Sequence, residues 1–189
     1  MNYDLLKSIN GLAGDGTTFL DKFMIATTNG ALLVFAVILA CMWLFGNTYT
    51  KKSALYAGIA GVLAIVINVI IAHFYFEARP FVTHADINLL VPHDADASFP
   101  SDHTAGALGI AFGLLLRHRK WGTLAVLFGL LTGFSRIYVG NHYPGDVLGG
   151  IVVGFIAASI IVSIRFIMEP ITSFFVNIWY KIPFIPKKD

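Results

Sequence analysis

Between residues 23 and 50 the chain carries no ionisable side chain except Cys41 and Tyr49. A helix needs about 20 apolar residues to cross the hydrocarbon core of a bilayer. On that measure the hydrophobic pattern predicts a first span near 29–45, followed by spans near 53–76, 101–116, 121–139 and 144–167. Ahead of them, residues 2–26 read as one or two amphipathic helices broken by Gly11, Gly14 and Gly16 and lying on the membrane surface. Asp15, Asp21 and Lys22 interrupt that stretch and argue against a span there; a crossing would raise the count from five to six. Residues 1–10, with Asp4 and Lys7 among apolar neighbours, lack the basic-then-apolar order of a cleavable signal peptide. The tail, 169–189, holds Trp179, Tyr180 and three lysines and reads as interfacial.

Composition narrows the class further. Of 189 residues, 57% are hydrophobic and 13% charged, and the mean hydropathy is +0.74. Soluble domains carry about 25% charged residues, so this chain cannot coat a globule with charge, and its apolar content excludes intrinsic disorder. A single cysteine, Cys41, excludes an intrachain disulfide framework and a Cys-rich zinc site. A net charge of +2 gives no ground for a nucleic-acid partner. The expectation is an all-α integral membrane helical bundle of about five transmembrane helices, a single membrane domain over 1–189. Small residues four apart (Ala57 and Gly61; Ala105, Gly109 and Gly113; Gly129 and Gly133; Gly150 and Gly154) point to close helix contacts. No inverted repeat of the transporter kind is evident.

Charge then gives direction. In a five-span arrangement Lys51, Lys52, Arg117, Arg119, Lys120 and the lysines of the tail share one side. Lys and Arg accumulate in cytoplasmic loops, so the segments 77–100 and 140–144 are expected to face outward. Three polar islands fall on that outward side: Glu77 to Phe81, Ser98 to Thr104, and Ser135-Arg136 continuing to His142, Tyr143, Pro144, Gly145 and Asp146. In a compact bundle they converge into one pocket. Arginines at membrane depth are costly without an anion, and a guanidinium fork matches phosphate oxygens. Pro100-Ser101-Asp102-His103 reads as a helix start, whose free N–H groups attract phosphate. Arg79, Arg136 and Ser101 therefore form a candidate anion cradle. His142 and Asp146, four apart at the start of a helix, allow the carboxylate to accept from one ring nitrogen and leave the other as nucleophile or base. His103, from another span, can serve as proton donor. A His/Asp pair at this spacing could equally ligate a metal. His84, Asp86, His93, Asp94 and Asp96 in the long outer loop read as a solvated acidic loop rather than a cation site.

These residues resemble the signature of the type-2 phosphatidic acid phosphatase superfamily of membrane lipid phosphatases. Its second motif, Pro-Ser-x-His, is matched by Pro100-Ser101-Asp102-His103, and its third by Ser135-Arg136, His142 and Asp146 at the family spacing. The first motif is half present: Arg79-Pro80 stands, but the lysine position is Ala72. Glu77 stands nearby, and the leaving-group side is the role open to it. The motifs occupy residues 77–146. The surrounding sequence is most similar to the bacitracin-resistance type of undecaprenyl-diphosphate phosphatases of Gram-positive bacteria. The resemblance implies an all-helical bundle in the bacterial plasma membrane, with its site facing outward. It implies a polyprenyl diphosphate substrate among the membrane lipids and no metal or other cofactor; the oligomeric state is left open. It further implies His142 as nucleophile, Asp146 as its orienting partner and His103 as acid and then base. Arg79, Ser101, Arg136 and Ser135 would hold phosphate. The alternatives are a phosphatase for phosphatidic acid or phosphatidylglycerol phosphate, a haloperoxidase with the same motifs, and a transporter that carries a phosphorylated lipid uncleaved. The last would need the arginines but not the nucleophile.

Overall fold

The computed structural model describes residues 2–182; within them the chain forms eight helices, with no strand beyond one isolated bridge between Ala78 and Ala97. They are α1 (Asn2–Asn10), α2 (Phe19–Phe45), α3 (Thr48–Phe74), α4 (Pro80–Thr83), α5 (Asp102–Leu115), α6 (Arg119–Tyr138), α7 (Pro144–Ser163) and α8 (Arg165–Trp179). The bundle is built around α5, which packs on α3, α6 and α7, while α2 closes the side between α3 and α6. Its outer surface is apolar: Leu33, Val62, Leu127, Leu148 and Phe155 are exposed, whereas Asn68, Thr132, Arg136 and Asp146 are buried. That inside-out distribution suits a chain whose solvent is lipid. The helices α2, α3 and α7 are long and apolar enough to cross a membrane by length and composition. With 14 residues, α5 measures about 21 Å, less than the hydrocarbon thickness.

Two expected boundaries move. The helix expected from near residue 29 begins at Phe19, so residues 19–26 are the opening turns of α2 rather than part of a separate short helix. Asp21, read as an interruption, is the third residue of a capping box with Thr18, which satisfies free N–H groups of the first turn. Its carboxylate also accepts from Gly14 N–H at 3.1 Å and the Tyr138 hydroxyl at 2.8 Å. A charge that seemed to forbid a helix in lipid is thus consumed in starting one. Only α1 remains as a separate short helix, and it lies against α6 and α7. At the other end the last span stops at Ser163 and the tail helix begins at Arg165, not after residue 168. Glu169, inside α8, is fixed to Lys52 (2.8 Å), Arg117 (3.6 Å) and the Tyr56 hydroxyl (3.1 Å), which ties α8 to the basic end of the bundle. Lys187 and Lys188 of the expected tail lie outside the described residues.

The small-residue spacing does bring helices together. A Cβ on Gly154 would sit 2.8 Å from the Gly109 nitrogen and 3.0 Å from the Ala105 carbonyl oxygen, so α7 reaches α5 at backbone contact. Overpacking such a contact costs about 1–3 kcal/mol. Gly154→Val is therefore expected to lower the melting temperature in detergent. Gly30→Ala, where a Cβ meets nothing within 4 Å, should leave it unchanged or raised; equal melting curves for the two variants would contradict the packing described here.

Candidate active site

The three polar islands meet at the rim above α5. The Ser98 N–H donates to the Glu77 carbonyl at 2.8 Å, which joins the first two islands. The Ser101 N–H donates to the Asp146 carbonyl at 3.1 Å and joins the second to the third. Asn68 of α3 donates to Asp102 at 2.9 Å and to the Pro100 carbonyl at 3.2 Å, fixing where α5 begins. The Arg136 carbonyl accepts from Asn141 N–H (3.1 Å) and His142 N–H (3.3 Å), folding the chain tightly from α6 into α7.

His142 sits in that turn, 2% exposed. Its Nδ1 lies 3.3 Å from Asp146 Oδ2. The same oxygen accepts from the Tyr143 N–H at 2.8 Å, as the cap of α7, and from the Ser98 hydroxyl at 2.5 Å. With a hydrogen on Nδ1, the lone pair of the ring is on Nε2, and Arg79 Nη1 is 3.1 Å from it. Burial, with the charges of Arg136 and Arg79 behind it, holds the His142 ring well below the usual imidazole range. It is a neutral base with one free lone pair, aimed at a cation. A metal ion on Nε2 would have to displace that guanidinium, which weighs against the metal-ligand reading of the pair.

Arg79 is buried and braced by Asp96 (Nε to Oδ1, 2.6 Å), the Asn141 carbonyl (3.2 Å) and the Ala97 carbonyl (3.4 Å). Arg136, also buried, has only neutral partners. Nη1 donates to Thr28 Oγ1 at 2.9 Å; with its amide oxygen turned inward, Asn141 accepts from Nη1 and Nη2 at 3.2 and 3.1 Å. The Arg136 Nε and Asp146 Oδ1 are buried without a partner among the described residues. Ser101 makes no side-chain cap; its hydroxyl accepts from Thr104 at 3.0 Å, so its own proton is free to donate. Ser135 differs: its hydroxyl donates to the Thr132 carbonyl at 2.7 Å within its own helix. His103, in the first turn of α5, makes no hydrogen bond among the described residues and is close enough to feel the charges of Arg136 and Arg79.

Glu77 is not drawn in among the arginines. It lines a cleft of about 360 Å³ with Asn2, Ile71, Tyr75, Phe99 and Asp146, and burial, then the Asp146 charge, raises its pKa. Ala72, half-buried near the end of α3, brings no cation. The outer loop is also more than a solvated acidic segment: Asp96 holds Arg79, and Asp86 binds Lys7 (2.6 Å) and the Tyr3 hydroxyl (2.6 Å) of α1. Sequence reasoning placed Ser98 in the second polar island without giving it a role and did not single out Asn141, which lies inside the third motif beside His142, or Thr28, which stands far from all three.

An all-helical membrane bundle with an oriented imidazole beside two buried guanidinium groups defines the class: a membrane protein with an anion site at one rim. The family model of the PAP2 superfamily matches residues 53–168, and the chain belongs to that superfamily, as its motifs indicated. The chain is 49% identical over 179 residues to the undecaprenyl-diphosphatase BcrC of Bacillus subtilis, covering 95% of this chain and 92% of that one. It is 34% identical to a bacitracin transport permease protein BcrC of Bacillus licheniformis, over 84% of this chain and 77% of that one. The crystal structure of Aquifex aeolicus LpxE superposes with a TM-score of 0.74 and 29% identity, covering 86% of this chain and 94% of that one.

Because burial and two arginines disfavour the imidazolium, His142 protonates only at a pH well below 6.5. Its ring nitrogens should show the neutral, Nδ1-protonated pattern in ¹⁵N spectra at pH about 6, where an ordinary histidine is mostly charged. An imidazolium signal for His142 at that pH would overturn the assignment.

Proposed function

We propose that the protein is an undecaprenyl-diphosphate phosphatase of the bacterial plasma membrane that releases the terminal phosphate through a phosphohistidine on His142. One observation carries the chemistry: the His142 lone pair on Nε2 faces the Arg79 guanidinium at 3.1 Å while Nδ1 is held by Asp146. A terminal phosphate drawn in by Arg79, Arg136 and the Ser101 hydroxyl takes the Arg79 N–H that now points at Nε2, which releases the lone pair toward phosphorus. Nε2 then attacks phosphorus in line, and the bond to the bridging oxygen breaks. His103, protonated once the bound diphosphate offsets the charge of the two arginines, gives its proton to the departing lipid monophosphate. Asp146 balances the charge that His142 acquires. In the second half His103 takes a proton from water, the water oxygen bonds to phosphorus, and the P–N bond breaks. Phosphate leaves with both histidines as they began. Ser135 serves the Arg136 end of α6 through its helix rather than through phosphate.

The lipid diphosphate as substrate is supported by the similarity to the Bacillus subtilis undecaprenyl-diphosphatase, over nearly the whole of both chains. Its product is the monophosphate carrier of cell-wall synthesis, and consuming the diphosphate removes what bacitracin sequesters. The name of the Bacillus licheniformis relative is a transport name. Against carriage without cleavage stands the triply held Asp146 and its oriented imidazole, which transport does not require. The site lies at the rim opposite Lys52, Arg117 and Glu169, and the excess of Lys and Arg at that other rim supports an active site that faces out of the cell.

Purified protein in EDTA should release phosphate from undecaprenyl diphosphate faster than from farnesyl diphosphate or phosphatidic acid, and His142→Ala should abolish release. Near-normal turnover by that variant sinks the mechanism; a preference for phosphatidic acid changes the substrate. For the orientation, a cysteine replacing Asp94 in a Cys41→Ser background should react with an impermeant thiol reagent in intact cells, and one replacing Lys52 should not. The reverse pattern would put the site in the cytoplasm.

A further inference from the structure

His93 belongs to none of the motifs, yet its ring stands at the mouth of the site. Its centroid is 6.5 Å from that of His142, with the ring planes inclined at 70°. The side chain is only 23% exposed. Nδ1 faces the Asp94 carbonyl oxygen at 3.2 Å and Asp96 Oδ1 at 3.7 Å. That Asp96 oxygen is the one that accepts from Arg79 Nε, so one carboxylate braces both His93 and Arg79. With its hydrogen turned to these two oxygens, His93 keeps a lone pair on Nε2, which has no partner among the described residues. The charged and titratable groups around the ring are Asp96 on its own loop, Arg79 ahead of α4, His103 on α5, Arg136 on α6 and His142 before α7.

We propose that His93 is a further phosphate-contacting residue: when a doubly charged phosphate enters, Nε2 takes up a proton from solvent and donates it in a hydrogen bond to a phosphate oxygen, as a third cation beside Arg79 and Arg136. In the empty site partial burial, and then the Arg79 charge, hold the ring below the usual imidazole range. A phosphate dianion reverses the sign of the local charge. The Asp94 carbonyl and Asp96 are already placed to accept from the Nδ1–H of the resulting imidazolium. No covalent bond other than N–H forms, and the proton returns to solvent when phosphate departs.

The inference rests on the phosphatase reading above, and the test separates the two. KM for undecaprenyl diphosphate and the inhibition constant for inorganic phosphate would be measured for wild type, His93→Gln and His93→Lys between about pH 6 and 8, the range in which an imidazole titrates. Melting temperatures would confirm that each variant is folded. With both constants expressed per phosphate dianion, whose own second ionisation falls in this range, wild-type KM should rise with pH. His93→Gln should show a KM raised about tenfold and flat with pH, the scale of a lost hydrogen bond to a charged group. His93→Lys should be low and flat, and the phosphate inhibition constants should follow the same order. Unchanged constants in His93→Gln, or a pH dependence that survives in both variants, overturns the role of His93. If wild type releases no phosphate from the lipid diphosphate, the functional reading fails by itself. His93 is then judged by its ¹⁵N signal on adding inorganic phosphate: conversion to imidazolium supports the contact, and no change refutes it.

Discussion

Two guanidinium groups buried at one rim of a bundle that is apolar on its outside form the constraint on which the rest depends. A charge taken out of water without a partner is among the most expensive arrangements a protein can hold. Arg79 has one carboxylate, Asp96, and Arg136 has none within hydrogen-bond reach; Thr28 and the Asn141 amide are neutral. Burial, and then this surplus positive field, disfavours the charged form of His142, and Arg136 Nε has no acceptor among the described residues. Much of what the outer loop does, from Asp96 to the Ala97 carbonyl, is to hold this surplus in place until an anion arrives.

The packing below the rim follows from the same need. Glycines at the α5–α7 and α3–α5 contacts let helices approach to backbone distance, as at Gly154 and Gly113. The three polar islands can then converge at one rim. Asp146 shows how economically the convergence is made. One of its oxygens caps α7, receives the Ser98 hydroxyl and orients His142, while its backbone carbonyl receives the Ser101 N–H. Loss of the carboxylate would therefore disturb a helix start and a loop as well as the imidazole, and a fall in activity on its replacement is not a measure of charge alone.

What could be read in the sequence was what carries a fixed spacing or a period. The helical bundle followed from charge-free runs, and His142, Asp146, Arg136, Ser101 and His103 from short motifs on one side of the membrane. The hold of Ser98 on Asp146 and the part of Thr28 escaped because those contacts span 48 and 108 positions and a hydroxyl has no pattern of its own. Asp21 was misread because an acid beside an apolar run looks like an end, whereas next to Thr18 it is a beginning. The stretch 144–167 reads as one span, but the helix ends at Ser163, and Glu169 in the helix that follows is held at the basic rim by Lys52 and Arg117, a pairing across more than 50 positions that no local pattern shows.

The first helix also fixes an order of assembly. Asn2 accepts from the Gly145 N–H at 2.9 Å across 143 positions, and Asn10 donates to the Tyr138 carbonyl at 2.8 Å across 128. Residues made first thus find their partners only after α6 and the start of α7 have been made. The turn that carries His142 therefore gains one of its walls last, when Leu6 of α1 packs with Ile137, Tyr143 and Val147. The hydrophobic cover on that side is completed only when the first helix closes on the start of α7.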